Sequence, residues 1–267
     1  MIDVSSQTDR YRKSQWEGRV RFPKTDQDLA QNQEWCEIKE DGGWSKLRFH
    51  DYDRIYQRPG LYEHLFYQML KCRSPERVVT LLDEVRRDFD KSVDSLRVLD
   101  LGAGNGIVGE RLRERGVQHV LGIDIISEAS QAAKRDRPRV YADYLVADLC
   151  EFSDEARERI QAFNPNVLAC VAALGFGDIP PRAYFNALSL IPEGGMLAFN
   201  IKDEFLDSRH VHGFSGLIRR MVHDEVIRLE ATRRYRHRLD INGEPLFYTA
   251  MIATKLVTVP EVLLAEK

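Results

Sequence analysis

Three glycines in a run of five residues, Gly102, Gly104 and Gly106, follow the apolar stretch Val98-Leu99-Asp100-Leu101 and open a helical pattern that begins near Asn105. Glycine at a strand-to-helix turn tolerates positive φ and lets a ligand approach the backbone closely. The N-terminus of the following helix leaves amide donors free for an anionic or polar group. The ligand this predicts is nucleotide-like, seated at the carboxyl edge of a sheet. A dinucleotide fingerprint would read G-x-G-x-x-G. Here the third glycine comes one residue early, Ile107 takes the dinucleotide position, and an acid, Asp100, stands two residues before the first glycine. A tight turn with no ligand is the alternative.

Two more acids recur at the same place in the repeating pattern. Asp124 ends Val120-Leu121-Gly122-Ile123, and Asp148 ends Tyr144-Leu145-Val146-Ala147. A carboxylate at the tip of the second strand can accept hydrogen bonds from two ribose hydroxyls; its other reading is a cap for the helix that starts near Ser127. A carboxylate one unit further on can face an adenine amino group; its other reading is a loop or cap residue. Three successive strand ends thus carry a glycine loop, an acid and an acid.

The elements that must position these residues alternate from residue 96 onward. Strands are predicted over residues 96–101, 119–123, 140–147, 167–173 and 196–201, with helices over 105–115, from Ser127 to the break at Pro138, over 154–163 and over 183–190. A βαβα order implies a parallel sheet covered by helices on both faces and wound with right-handed crossovers. After a helix over residues 214–223 the rhythm changes. Two long strands, 226–237 and 245–254, flank Ile241-Asn242-Gly243-Glu244, and Asn-Gly is a strong hairpin signal. The fold predicted is α/β: a Rossmann-like, doubly wound, seven-stranded sheet, mostly parallel, ending in an antiparallel C-terminal hairpin.

In this order and spacing the chain resembles class I S-adenosylmethionine-dependent methyltransferases, from about Tyr52 to Lys255. Asp100 to Gly106 matches the family's first motif, Asp124 its ribose-binding acid, and Asp148 its adenine-side acid. Ala172-Ala173-Leu174-Gly175 matches the segment beside the cofactor's methionine part, and Ile191-Pro192-Glu193-Gly194-Gly195-Met196 the turn before the fifth strand. The closing hairpin matches the family's reversed seventh strand, which enters between strands five and six. The resemblance implies S-adenosylmethionine as cofactor and S-adenosylhomocysteine as product. It assigns the cofactor to Asp100, Gly102, Ala103, Gly104, Asp124, Ile125, Asp148, Leu149 and Ala172. Upstream, the segment from Asp51 to Tyr62 is similar to the Tyr-containing entry helix that lids the cofactor in many small-molecule members. Tyr52 and Tyr56 are therefore candidates to face the sulfonium through a cation–π contact, with ordinary helix packing as the alternative.

Methyl transfer from a sulfonium is mainly a matter of in-line positioning, and a base is needed only if the acceptor must lose a proton. The catalytic residues are not identified by the sequence; His210, His212 and His50 are weak candidates for a base, each as readily a surface or packing histidine. His210-Val211-His212 lacks a third ligand at suitable spacing, so no metal is expected. Asp203-Glu204 can border an acceptor site or form a solvated pair. The basic run 233–238, Arg-Arg-Tyr-Arg-His-Arg, lies on a strand whose residues alternate between faces, so it forms no single patch. The N/D-P-P-Y/F motif of amino-group methylases of nucleic acids is absent after the fourth strand. Net charge is −3 with a pI near 6.2, unlike a dedicated nucleic-acid binder. The expected partner is a small-molecule methyl acceptor, with nucleic acid disfavoured, no membrane, and RNA or protein methylation, or cofactor binding without catalysis, as alternatives.

Residues 1–48 are polar and carry all three tryptophans, Trp16, Trp35 and Trp44. They read as an extension with one β-hairpin packed through its aromatics, or as a partly disordered arm; residues 49–267 read as the methyltransferase domain with its lid region. Four widely spaced cysteines suggest no disulfide framework, Cys170 reads as a core residue, and no signal-peptide core stands at the N-terminus, so a cytoplasmic location is expected. No stretch approaches the about 18 apolar residues of a membrane span.

Overall fold

A computed structural model describes residues 14–24, 29–174, 177–206 and 213–261. The chain divides into two compact units, one made of residues 1–72 with 237–246 and the other of residues 73–236 with 247–267.

In the first unit, strands β1 (Val20–Arg21), β2 (Trp35–Glu40) and β3 (Gly43–Arg48) form an antiparallel sheet in that order. The expected hairpin is present as β2–β3, and a third short strand joins it. Trp16 is buried and donates its indole N–H to the Pro59 carbonyl (2.9 Å), while Trp44 lies half-exposed under the Arg21 guanidinium (4.0 Å). Helix α1 (Tyr52–Tyr56) precedes a π-helical turn, Glu63–Met69. The sequence gives no warning of the π turn, because Leu61, Leu65, Phe66 and Leu70 are buried together as an α-helical stripe would be. Glu34 and Arg238 form a buried ion pair, and Glu34 also accepts the Ile241 N–H (2.9 Å).

The second unit carries the expected α/β pattern: α2 (Ser74–Asp88), β4 (Arg97–Leu101), α3 (Ile107–Glu114), β5 (His119–Asp124), α4 (Ser127–Asp136), β6 (Asp143–Val146), α5 (Asp154–Phe163), β7 (Val167–Cys170), α6 (Pro181–Ser189), β8 (Met196–Lys202), α7 (Gly213–His223), β9 (Ile227–Leu239) and β10 (Pro245–Lys255). The sheet order is β6-β5-β4-β7-β8-β10-β9. Strands β4 to β8 pair in parallel and β10 runs antiparallel to β8, so the last strand inserts between the fifth and sixth of this sheet.

Side chains on a strand alternate between faces, and this alternation sorts the core. Leu99, Leu121, Leu145, Leu168 and Phe199 pack with α6 and α7 on one face. Val98, Val120, Val167 and Ala198 pack with α2 and α3 on the other. Each buried Val or Leu contributes about 1.5–3 kcal/mol. By the same alternation Asp100, Gly122 and Asn200 project to the α2/α3 face. Three polar or side-chain-free positions therefore interrupt an otherwise apolar layer.

Strands β6 and β7 are shorter than their apolar runs suggest. At β6 the pairing begins only at Asp143, because Tyr141 turns its hydroxyl to Asp100 (2.8 Å). At β7 the chain leaves the ladder because Ala172 adopts a left-handed conformation, φ 60°. Ser127 opens α4 but does not cap it, since its hydroxyl bonds Glu128 and Asp124 takes the Ile126 N–H instead. Likewise Ser74 opens α2 without capping it, its hydroxyl being held by Tyr235 (2.7 Å).

Gly122 sits on a crowded part of the α2/α3 face. A Cβ there would lie 2.9 Å from the Tyr144 ring, 3.1 Å from the Tyr141 ring and 3.2 Å from the Ala103 Cβ. Gly122→Ala is expected to lower the unfolding free energy by about 1–3 kcal/mol, read from the midpoint and slope of a urea titration.

Candidate functional site

The turn between β4 and α3 is built from three residues that need the left-handed region: Gly102 (φ 72°), Gly104 (φ 54°) and Gly106 (φ 91°). The amides of Gly102 and Ala103 both donate to the Ile123 carbonyl (2.9 and 3.0 Å), which ties the turn to β5. The Gly104 peptide is held on both sides. Its N–H donates to Asp124 Oδ2 (2.9 Å), and its carbonyl accepts the Tyr144 hydroxyl (2.8 Å). Arg137 donates to the Asn105 carbonyl (3.1 Å), closing the far side.

Asp124 also accepts the Ile126 N–H at Oδ1 (3.0 Å). Burial raises its carboxyl above the ordinary range; the backbone donors of Ile126, Gly104 and Ile125 oppose that, and the charge of Asp178 adds to it. Asp100 is fully buried. One of its oxygens accepts the Tyr141 hydroxyl, and the other, Oδ1, has no hydrogen-bond partner. Burial pushes its carboxyl up to about 7; the Tyr141 hydrogen bond opposes the shift and the Asp124 charge adds to it. Tyr141 and Tyr144 are pushed upward by burial and by these carboxylates, so both stay protonated donors. Their rings meet edge to face at 5.3 Å.

The expected site residues fall into three groups. Asp100, Gly102, Ala103, Gly104 and Asp124 come together through the bonds just described. Ile125 follows Asp124 and is well exposed. Further along the carboxyl edge, beyond β6, Asp148 is exposed and accepts the Cys150 N–H (2.7 Å), while Leu149 is buried with its carbonyl held by Asn186 (2.6 Å). On the opposite side of β4, Ala172 donates its N–H to Asn200 Oδ1 (2.7 Å), and a Cβ on Gly102 would lie 3.2 Å from Ala173.

Tyr52, Tyr56 and His50 belong to the first unit. There Tyr52 and Tyr56 stack at 6.0 Å and His50 lies 5.6 Å from Tyr52. His210, His212 and Gly175 lie outside the described residues. Asp203 accepts from Arg234 (2.5 Å) and Thr249 (2.7 Å), and Glu204 pairs with Lys202 (2.5 Å). Within the basic run, Arg233 pairs with Glu84 (2.7 Å) and Arg234 lies over Phe247 (3.9 Å). Among the described residues no cluster of three His, Cys, Asp or Glu could hold a metal, and no helix is long and apolar enough to cross a membrane.

Sequence reasoning missed Tyr141, Tyr144 and Arg137 as supports of the turn. A signal existed: an isolated glycine inside the apolar strand of Asp124 marks a close approach by something bulky.

Comparison with known proteins agrees with this geometry. The family described as "Methyltransferase domain" matches residues 99–170, from the strand before the glycine turn to the end of β7. Over residues 99–170 the chain is thus similar to a methyltransferase domain. The mitochondrial ubiquinone biosynthesis O-methyltransferase of Candida albicans is 30% identical over 128 residues, 46% of this chain and 38% of that one. The chain thus spans well under half the length of that relative. The N-methyltransferase NodS of Bradyrhizobium japonicum WM9, solved with S-adenosylhomocysteine, superposes with a TM-score of 0.53 at 15% identity, covering 78% of this chain and 97% of that one. The magnesium protoporphyrin IX methyltransferase of Synechocystis PCC 6803 gives a TM-score of 0.46 at 14% identity over 68% of this chain and 79% of that one.

The raised Asp100 carboxyl has a consequence for stability. A carboxyl whose folded pKa lies above its unfolded value binds protons more tightly in the folded state. Its contribution is full below about pH 4 and is lost as pH rises through about 7. Asp100→Asn keeps the acceptor for Tyr141 and removes the titration. Denaturant unfolding at a series of pH values should show the variant gaining on the wild type between pH 4 and 7 and running parallel above pH 8.

Proposed function

We propose that the chain is a methyltransferase moving the methyl group of S-adenosylmethionine to an oxygen, nitrogen or carbon of a small-molecule acceptor. The observation that carries this reading is the Asp124 carboxylate locked beside the left-handed glycine turn by the Gly104 and Ile126 amides. A carboxylate has about four lone-pair sites. The Gly104 and Ile126 amides take one site on each oxygen, with the Ile125 amide also acting on the group, which leaves acceptor capacity for a ribose hydroxyl.

The other residues fit the same ligand. Asp148 and Leu149 would flank the adenine, with Ile125 exposed beside it. The Gly102-Ala103-Gly104 turn admits a ligand at van der Waals distance from the backbone. The unpartnered Asp100 Oδ1 is a buried acceptor suited to a cationic ammonium, directly or through water. Ala172, on the far side of β4, would meet the amino-acid end.

When bound, the cofactor supplies an activated methyl group on a good leaving group. The bond from sulfur to the methyl carbon breaks as the bond from acceptor to methyl forms, leaving S-adenosylhomocysteine. The protein's part is to align the two and exclude water. A proton leaving the acceptor would pass to a base, for which His210 and His212 are the candidates.

A small acceptor is supported by the Glu84 and Asp203 partners of Arg233 and Arg234, which spend the basic run within the domain. The name of the Candida albicans relative favours a hydroxyl acceptor. The four free cysteines support work in the reducing cytoplasm.

Asp124→Ala should weaken S-adenosylhomocysteine binding about tenfold or more, the scale of hydrogen bonds to a charged group. Calorimetry showing unchanged affinity in a folded variant overturns the ribose assignment. A screen of hydroxylated, amino and RNA acceptors with labelled methyl donor tests the acceptor class; label appearing only in RNA overturns the small-molecule reading.

A further inference from the structure

A buried polar network stands on the β7/β8 side of the glycine turn, and nothing in the site described so far uses it. Asn200 lies in the middle of β8 and is fully buried. Its Oδ1 accepts the Ala172 N–H (2.7 Å), and its Nδ2 donates to the Tyr235 hydroxyl (2.9 Å) and the Ser74 hydroxyl (3.3 Å). Ser74 and Tyr235 bond each other at 2.7 Å. Ser74 opens α2 and Tyr235 lies on β9, so three elements converge on one amide.

This arrangement settles which way the amide faces. Flipping it would set an N–H against the Ala172 N–H, while the two hydroxyls, which can both donate and accept, tolerate either orientation. Asn200 can therefore only accept from Ala172. Ala172 needs that help, because a left-handed conformation costs an L-residue about 1–2 kcal/mol and persists only where the surroundings over-determine it. Its neighbour Ala173 rests against Gly102, the first residue of the glycine turn.

Position in the sheet says what the left-handed residue is for. Strands β5 and β7 flank β4 on opposite sides. A ligand whose ribose is held by Asp124 beyond β5, and which crosses the glycine turn, must place its other end beyond β7, where Ala172 stands.

We propose that Asn200, braced by Ser74 and Tyr235, is a positioning residue for the amino-acid end of the cofactor, acting through the left-handed Ala172 backbone. The inference rests on the cofactor placement proposed above. It separates the network's role from that of Asp124: the network acts on the tail of the ligand and leaves the nucleoside alone.

The test compares two ligands that share a nucleoside. S-adenosylhomocysteine carries the amino-acid tail and 5′-methylthioadenosine does not. For Asn200→Leu, calorimetry should show S-adenosylhomocysteine weakened about tenfold or more, the cost of losing one buried hydrogen bond and its geometry. Methylthioadenosine should stay within about twofold of wild type by the same arithmetic. Asn200→Asp, which keeps an acceptor for Ala172 and can take both hydroxyls as donors, should restore S-adenosylhomocysteine to within about threefold. Tyr235→Phe, a milder change that folds even if the leucine variant does not, should weaken only the tailed ligand, by about threefold.

Equal losses for both ligands, or no loss for either, in a folded variant overturn the inference while leaving the cofactor reading intact. A wild-type protein that binds neither ligand overturns both.

Discussion

The hydrogen bond from the Gly104 amide to the Asp124 carboxylate is the contact on which the site depends. It joins the tip of β5 to the middle of the glycine turn, and it fixes both partners at once. The turn has three left-handed glycines, which bring no side chain to hold it. The carboxylate is largely buried and would be costly without donors. Each supplies what the other lacks. Charge-assisted hydrogen bonds of this kind are roughly twice as strong as neutral ones, so one contact can hold a segment that has little intrinsic preference for its shape.

The two tyrosines explain why the turn does not collapse onto the sheet. Gly122 leaves a gap on the α2/α3 face, and Tyr141 and Tyr144 fill it edge to face. Their hydroxyls then reach Asp100 and the Gly104 carbonyl. Removing the gap and keeping the tyrosines is not an available solution, since any side chain at Gly122 displaces the rings. Asp100 is the costly member of the set, because it is buried with one oxygen unpartnered. A strand that needed only stability would carry an apolar residue there, as its neighbours Val98, Leu99 and Leu101 do. Strongly perturbed carboxyls of this type cluster at functional sites.

Much of this was legible in the sequence, and the pattern of success follows the physics. Strand and helix order came from periodicities of two and 3.6 residues, reinforced by Gly116, Pro138 and Asn242-Gly243, and the seven-stranded sheet with its closing hairpin follows from them. The glycine turn and Asp124 were legible because their chemistry is written in residue type and spacing. What was not legible depends on contacts between distant segments. Tyr141 looked like the start of a strand; only a hydrogen bond to Asp100, 41 residues away, takes it out of the ladder. Ser74 and Ser127 stand at helix starts, where serine commonly caps, yet each hydroxyl bonds another side chain. Ala172 looked like the continuation of an apolar strand, because the asparagine that turns it comes 28 residues later.

Asp124 and Asn200 also show why the sheet is a suitable ruler for an extended ligand. Neighbouring strands lie about 4.8 Å apart, so the ends of β5 and β7 are held about 10 Å apart across β4. That spacing is set by backbone hydrogen bonds and cannot relax independently at either end. In the placement proposed above, a nucleoside on one side and a short tail on the other would be measured against the same rigid distance. Between them lies the glycine turn, whose lack of side chains lets the ligand cross at backbone level. Both anchors act through backbone amides: Asp124 fixes Gly104, and Asn200 fixes Ala172. A site made this way would place its ligand by strand geometry, and the proposed reading leaves the choice of methyl acceptor to the loops beyond the strand ends.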